Sequence, residues 1–135
     1  MTLALDMLTG AQDAMVQLLR AQLPADQRGM VRHSLDEDFA PPFHLIGDMD
    51  SANAGSKDEQ LEELTVDVQT VYRGDDRRQL LGLMHQVRIA ADDAALQVGD
   101  AHFRVRWLHS AASTAASDGV TYAGITTLEI YAEPA

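Results

Sequence analysis

The chain has 135 residues, 46% of them hydrophobic, with 10 Lys+Arg against 21 Asp+Glu and a formal net charge of −11. That length suits a single domain over residues 1–135 with one core, and the hydrophobic content excludes wholesale disorder. There are no cysteines, which removes disulfide frameworks, thiolate nucleophiles and Cys-type zinc sites together. No apolar run approaches the roughly 20 residues of a bilayer span. The first residues carry Asp6 and no basic stretch, unlike a secretory signal. The acidic balance opposes tight binding to a phosphate backbone. Charge is also uneven: residues 1–70 hold 4 cations and 13 acids, residues 71–135 hold 6 and 8. Nine acids between Asp36 and Glu63 face the single cation Lys57. Such a run is a solvated surface, or a repulsive face turned toward another polyanion.

Residues 3–23 predict an amphipathic helix with Leu5, Leu8, Met15, Leu19 and Leu23 on one face and Ala4 and Ala11 beside them, ended by Pro24. Gln12 falls inside that apolar arc without explanation. A loop containing Gly29 follows, and Pro41-Pro42 start a strand or flank an edge. Phe43 to Gly47 predicts a short strand, and the small polar run Asp48–Glu59 a long flexible hairpin loop. Residues 61–73 alternate most clearly, with Leu64, Val66, Val68, Thr70 and Tyr72 on one side. After Gly74, Asp75 or Asp76 caps a second helix whose core face is Leu80, Leu83, Met84, Val87 and Ala91. Ile89 lies on its polar side and is a candidate subunit contact. Residues 102–108 alternate again, Ser110–Gly119 is a second long small-residue loop, and a last strand runs from about Tyr122 to Tyr131. The order is therefore α-β-β-α-β-β. The expected fold is an α+β two-layer sandwich: a mainly antiparallel four-stranded sheet with two helices packed on one face. Asp67, Arg104, Arg106, Thr127 and Glu129 fall on its outer face.

Signs of chemistry are sparse. His33, His44, His85, His102 and His109 show no metal-site spacing and neighbour no nucleophile motif. Asp48-Met49-Asp50 looks like the start of a calcium loop, but Ala52 occupies the third ligand position. Asp36-Glu37-Asp38 could hold a divalent ion loosely, although a solvated loop is the simpler reading. Phosphate loops, dinucleotide fingerprints and nucleophile elbows are missing from the sequence, as are aromatics in the two long loops. Loops of that length in a small domain suit extended arms that order against a neighbouring chain.

Four features together resemble a known family. They are the N-terminal Leu/Ala helix (LALDMLTGAQDAMVQLLRAQL) and the acidic, proline-containing lead-in DEDFAPPFHLIGD. The third is the LTVDVQTVYRG strand followed at once by DDRRQLLGLMHQVRIAAD, and the fourth the final FRVRWLHS…DGVTYAGITTLEIYAEP hairpin. Across nearly its whole length the chain is similar to the tail-terminator, or tail-completion, proteins of long-tailed phages, prophages and gene transfer agents. The resemblance implies a non-enzymatic virion protein with no catalytic residue, cofactor or metal. It implies a hexameric ring at the head-proximal end of the tail tube, in the neck of a virion assembled in the host bacterial cytoplasm. Partners would be further copies of itself, the major tail tube protein and the head-connector or stopper protein. DNA would pass through the lumen without specific binding, and no membrane would be involved. Asp48, Asp50, Asp58 and Glu59 are then candidates for lining the lumen. Arg73, Arg77, Arg78, Arg88, Ile89, Ser110, Ser113 and Thr114 are candidates for the subunit interface. The alternatives are another ring protein of the neck, a stopper or head-completion protein, or a small bacterial ligand-binding or enzymatic α+β domain, which would need an enclosed site with convergent polar groups.

Overall fold

The structure, a computed structural model, describes residues 3–34 and 39–135. Helix α1 (Met7–Gln22) leads through a short 3-10 helix (Ala25–Met30) into strand β1 (Val31–Arg32). Strands β2 (Phe43–Asn53) and β3 (Glu62–Arg73) follow, then helix α2 (Arg77–Ala91), then β4 (Ala95–Val98), β5 (Ala101–Ala112) and β6 (Thr121–Pro134). The sheet is curled, six-stranded and mixed, ordered β1-β2-β3-β6-β5-β4. β1 runs parallel to β2, and every other pair is antiparallel.

This corrects the four-stranded, two-helix expectation in three places. The Gln97–Phe103 region hides a hairpin: Val98 pairs with Ala101 across the two-residue turn Gly99-Asp100, and Gly99 takes φ +58°. A left-handed first turn position suits the twist of a tight hairpin and favours glycine there. β1 is only two residues long, too short to show a period, and it exists because the 3-10 helix delivers Val31 alongside His44. The third change is length. β2 runs on to Asn53 past a bulge between Ile46 and Met49, and β5 to Ala112 past one between Trp107 and His109. Asp48 and Asp50 are thus strand residues, and the loop shrinks to residues 54–61. Polar side chains read as loop because these are outer strands, with solvent on one face and along one edge.

Both helices pack on the same face of the sheet. Asp76 caps α2 as expected, its carboxylate accepting from the Arg78 N–H at 2.9 Å. In α1 most of the expected face is buried: Ala11, Met15, Leu19 and Leu23 are, whereas Leu8 is 44% exposed and Met7, Ala14 and Leu18 are buried as well. Small residues account for this modest turn of the helix. Gly10 lies so near the sheet that a Cβ there would stand 2.9 Å from Phe103 Cζ. Gly10, Ala11 and Ala14 face the sheet and let the helix close onto Phe103, which is 1% exposed. At the other end of the sheet Gly124 plays the same part for α2, since a Cβ on it would run into the Met84 sulfur.

Two glycines on the helices test this close packing. Gly10→Val is expected to lower the unfolding free energy by about 1–3 kcal/mol through overpacking. Gly82→Ala has open space and should raise it by up to about 1 kcal/mol through helix propensity. Urea unfolding of both variants checks the pair of signs.

Candidate functional site

The outer face of the sheet carries a charge gradient from one side to the other. On β2 and β3 stand Asp50, Glu63 and Asp67; on β5 stand His102, Arg104, Arg106 and His109. β6 between them joins the two sets. The Arg106 guanidinium bonds Glu129 at 2.8 Å, Thr127 donates to Asp67 at 2.9 Å, and the Tyr131 hydroxyl donates to Glu63 at 2.9 Å. That last bond, the largest cause, and the nearby carboxylates hold the Tyr131 hydroxyl above the ordinary tyrosine range. Exposed pairs of this kind contribute from nothing to about 1 kcal/mol each, so they order the face rather than hold the fold. A groove of about 480 Å³ crosses this surface, lined among others by Leu61, Glu62, Arg104, Arg106 and Tyr131. Its Tyr and Arg106 are already engaged on neighbouring carboxylates. It offers polar contacts, with no nucleophile and base brought into hydrogen-bond reach among the described residues.

Among the described residues, two stretches of strand edge have no strand paired with them. β1 pairs with β2 only at His44 and Leu45, and no described strand pairs with the other edge of β2 from Gly47 to Asn53. On the far side β4 covers β5 only as far as Arg104. Beyond it the Ala94 carbonyl accepts from Val105 N–H and the Asp92 carboxylate from Trp107 N–H, both at 2.8–2.9 Å. From Leu108 to Ala112 every residue of β5 is exposed. Beside that edge lies a cluster on the C-terminal half of α2: the Arg88 guanidinium sits 3.5 Å over the Trp107 ring, and the indole N–H donates to Ser110 at 2.9 Å. Leu81 and Ile89 of α2 and Leu108 of β5 add exposed apolar surface, Ile89 being 59% exposed.

The structure brings together some of the expected site residues and separates others. Arg88 and Ser110 meet at Trp107, with Ile89 next to Arg88 in the chain. Trp107 itself gave no sequence signal beyond its place in an alternating strand. Arg73 lies elsewhere, its Nε near the Thr121 hydroxyl at 3.4 Å, and Arg77 and Arg78 start α2, Arg78 paired with Asp76 at 3.3 Å. Ser113 and Thr114 belong to the loop 113–120, which is held by its own bonds. Ser113 exchanges two hydrogen bonds with the Ala123 backbone, and Asp118 accepts from Val120 and Thr121. The Thr121 hydroxyl, then those two backbone N–H groups, hold the Asp118 carboxyl down to about 2. Both long loops thus carry internal hydrogen bonds of their own. Residues 54–61 close through Ser56 and Glu59, and Gly55 is required because a Cβ there would collide with the Glu59 carbonyl. Gln60 exchanges two bonds with the Leu5 backbone, at 3.0 and 3.1 Å, tying this hairpin to the start of α1.

The four candidate lumen acids divide into two pairs. Asp48 and Asp50 stand on the open β2 edge, and Asp58 and Glu59 at the hairpin tip. A calcium loop beginning at Asp48 does not fit. Glu59 does fall at the twelfth position, yet Asp48 and Asp50 are on extended strand, and no group of three metal-ligating side chains converges among the described residues. Asp36-Glu37-Asp38 lies outside the described residues. Among those residues no helix is long and apolar enough to cross a membrane.

His44, with Thr70 and Thr126, is one of the buried polar residues of the inner face. Its Nδ1 and the Thr70 hydroxyl share a hydrogen bond of 2.8 Å, and its Nε2 has no partner among the described residues. Burial pushes its imidazole down to about 4, so the ring is neutral at pH 7.

No protein-family model matches the sequence, and a search of curated proteins found no match. Among solved structures the fold is similar to a chain in the "Virion of native gene transfer agent (GTA) particle". The TM-score is 0.80 at 17% sequence identity, over 90% of this chain and 93% of that one. This likeness, at such low identity, is one of fold.

Two measurements check the site chemistry. With the folded-state His44 value depressed, the unfolded chain takes up the proton first as pH falls below about 6.5. Stability attached to the neutral ring is therefore full above that pH and is lost down to about 4. His44→Gln should remove that slope, at most about 1.4 kcal/mol per pH unit, from unfolding free energies measured between pH 7 and pH 4.5. Arg88→Ala should change the emission of Trp107, the single tryptophan, while costing less than about 1 kcal/mol of stability.

Proposed function

We propose that this chain is a structural protein of a phage-like or gene-transfer-agent particle, and within it the tail terminator. The observation that carries the reading is the fold match over nine-tenths of the chain to a subunit of a gene transfer agent virion. The sequence resemblance to tail-terminator proteins narrows it. In this reading six copies form a ring on the head-proximal end of the tail tube. The ring stops tube growth against the major tail protein and offers its other side to the head connector. The chain is assembled in the host cytoplasm, carries no catalytic centre and stays with the virion at its neck.

The surface properties agree with that role. A ring that DNA must traverse gains from weak, like-charged repulsion of phosphates, which salt screens within about 10 Å at 0.1 M. The net charge of −11 is of the required sign, and Asp58 and Glu59 at the projecting hairpin tip are the acids assigned to the lumen. Asp48 and Asp50, on an open strand edge, are better placed for contact between copies.

Electron microscopy of particles made after deletion of the gene tests the role. Filled heads separate from tails of uncontrolled length are expected. Intact particles with normal tails would overturn it. The charge-reversal pair Asp58→Lys and Glu59→Lys is expected to leave particle assembly intact and lower DNA delivery. Unchanged delivery would remove these two acids from the lumen.

A further inference from the structure

We propose that copies of this chain join head to tail by sheet continuation, the Leu108–Ala112 edge of one copy pairing antiparallel with the Gly47–Asn53 edge of the next, with His109 opposite Asp50. The inference rests on the assembly reading above and names the surfaces it uses.

Three observations lead to it. Uncovered strand edges display unpaired N–H and C=O groups and are normally guarded by Lys, Pro, bulges or inward charges. The β5 edge, Leu-His-Ser-Ala-Ala, has a bulge at its start and then no guard, and all five residues are exposed. The two edges also differ in sign. The β2 edge carries Asp48 and Asp50, with Glu63 on the neighbouring strand; the β5 edge carries no acid but His109, with Arg104 and Arg106 earlier on the same strand and Arg88 stacked on Trp107. Unlike edges attract and like edges repel, which selects a head-to-tail contact over a two-fold one.

The faces then choose the register. Inside one copy Met49 and Ser51 alternate inward, Asp50 outward; on β5 His109 and Ala111 point outward and Ser110 inward. An antiparallel joint must match outward with outward, because side chains alternate with period 2. Placing His109 opposite Asp50 puts Ser110 opposite Met49 and Ala111 opposite Asp48, with the faces matched and an imidazole set against the Asp50 carboxylate. Within a copy Asp50 lies level with Glu129 of β6 and His109 with Thr127. Each joint therefore shifts the next copy by two residues, about 7 Å along the strand. Tilted strands absorb a constant offset of this kind when a sheet closes on itself.

The chain has no cysteine, so introduced pairs report without background. Asp50 and His109 of one chain are separated by β3 and β6, three strand spacings or about 14 Å, too far for a disulfide within one copy. Particles are made with a tagged Asp50→Cys/His109→Cys chain, oxidised, and run on a non-reducing gel. A ladder of covalent multimers is expected, also from Asp48→Cys/Ala111→Cys. Each single-cysteine variant should stay monomeric on the gel while still entering particles, which shows that it folds. Cross-linking of a single variant would mean a two-fold contact and overturn the proposal. Double variants that enter particles and yield no multimer would also overturn it and leave the tail-terminator reading standing. A wild-type tagged chain missing from purified particles would overturn both.

Discussion

A sheet has faces to cover and edges to dispose of, and in this protein the two problems are solved separately. The inner face is covered by two helices that approach closely because Gly10, Ala11 and Ala14 in α1, and Gly124 under Met84, leave room for the opposite layer. The packing depends on that approach: Phe103, Leu128 and Ile130 are sealed beneath, and each large side chain removed from such a site typically costs about 3–5 kcal/mol or a little less. The edges receive no such cover. Two helices of 16 and 15 residues span one face, and the chain spends only two residues on β1 and four on β4 to shield the outer strands. Uncovered backbone is thus a direct consequence of how the core was built.

The parts of the fold legible in the sequence were those with a strong local period. The β3 alternation, the α2 cap at Asp76 and the outward row Asp67, Arg104, Arg106, Thr127 and Glu129 stand as their pattern implied. What was not legible lies at the sheet margins. Gly99-Asp100 is a hairpin signal, but the strand before it has four residues and follows a helix within three. Asp-Met-Asp-Ser-Ala-Asn and His-Ser-Ala-Ala look like loop because a strand edge in solvent places no demand for large apolar side chains. In α1 the expected face is buried except at Leu8, and there the close approach is made by small residues, Gly10, Ala11 and Ala14.

The candidate site was legible in type more than in place. Arg88, Ile89 and Ser110 are on one surface, and Trp107 links Arg88 to Ser110. The bulge before His109 that gathers them is a feature of pairing, invisible in a single strand. Arg73, Arg77 and Arg78 share only their sign with that surface, since they stand where β3 ends and α2 begins. Charge counted along a chain cannot tell an edge from a corner.

Internal bonds from Asp118, Ser113, Gln60 and Ser56 run within or beside the two loops, and the four acids stand in two places, on a strand edge and at a hairpin tip. In the proposed joint rigid edges meet, which avoids the cost of folding on binding. The acidic total makes identical copies repel at long range, while the Asp50 edge and the His109 edge of β5 are matched at short range in the proposed joint. On the proposed reading, long-range repulsion keeps dilute copies apart and the matched edges act only where copies are already held together, as at the end of a tail tube.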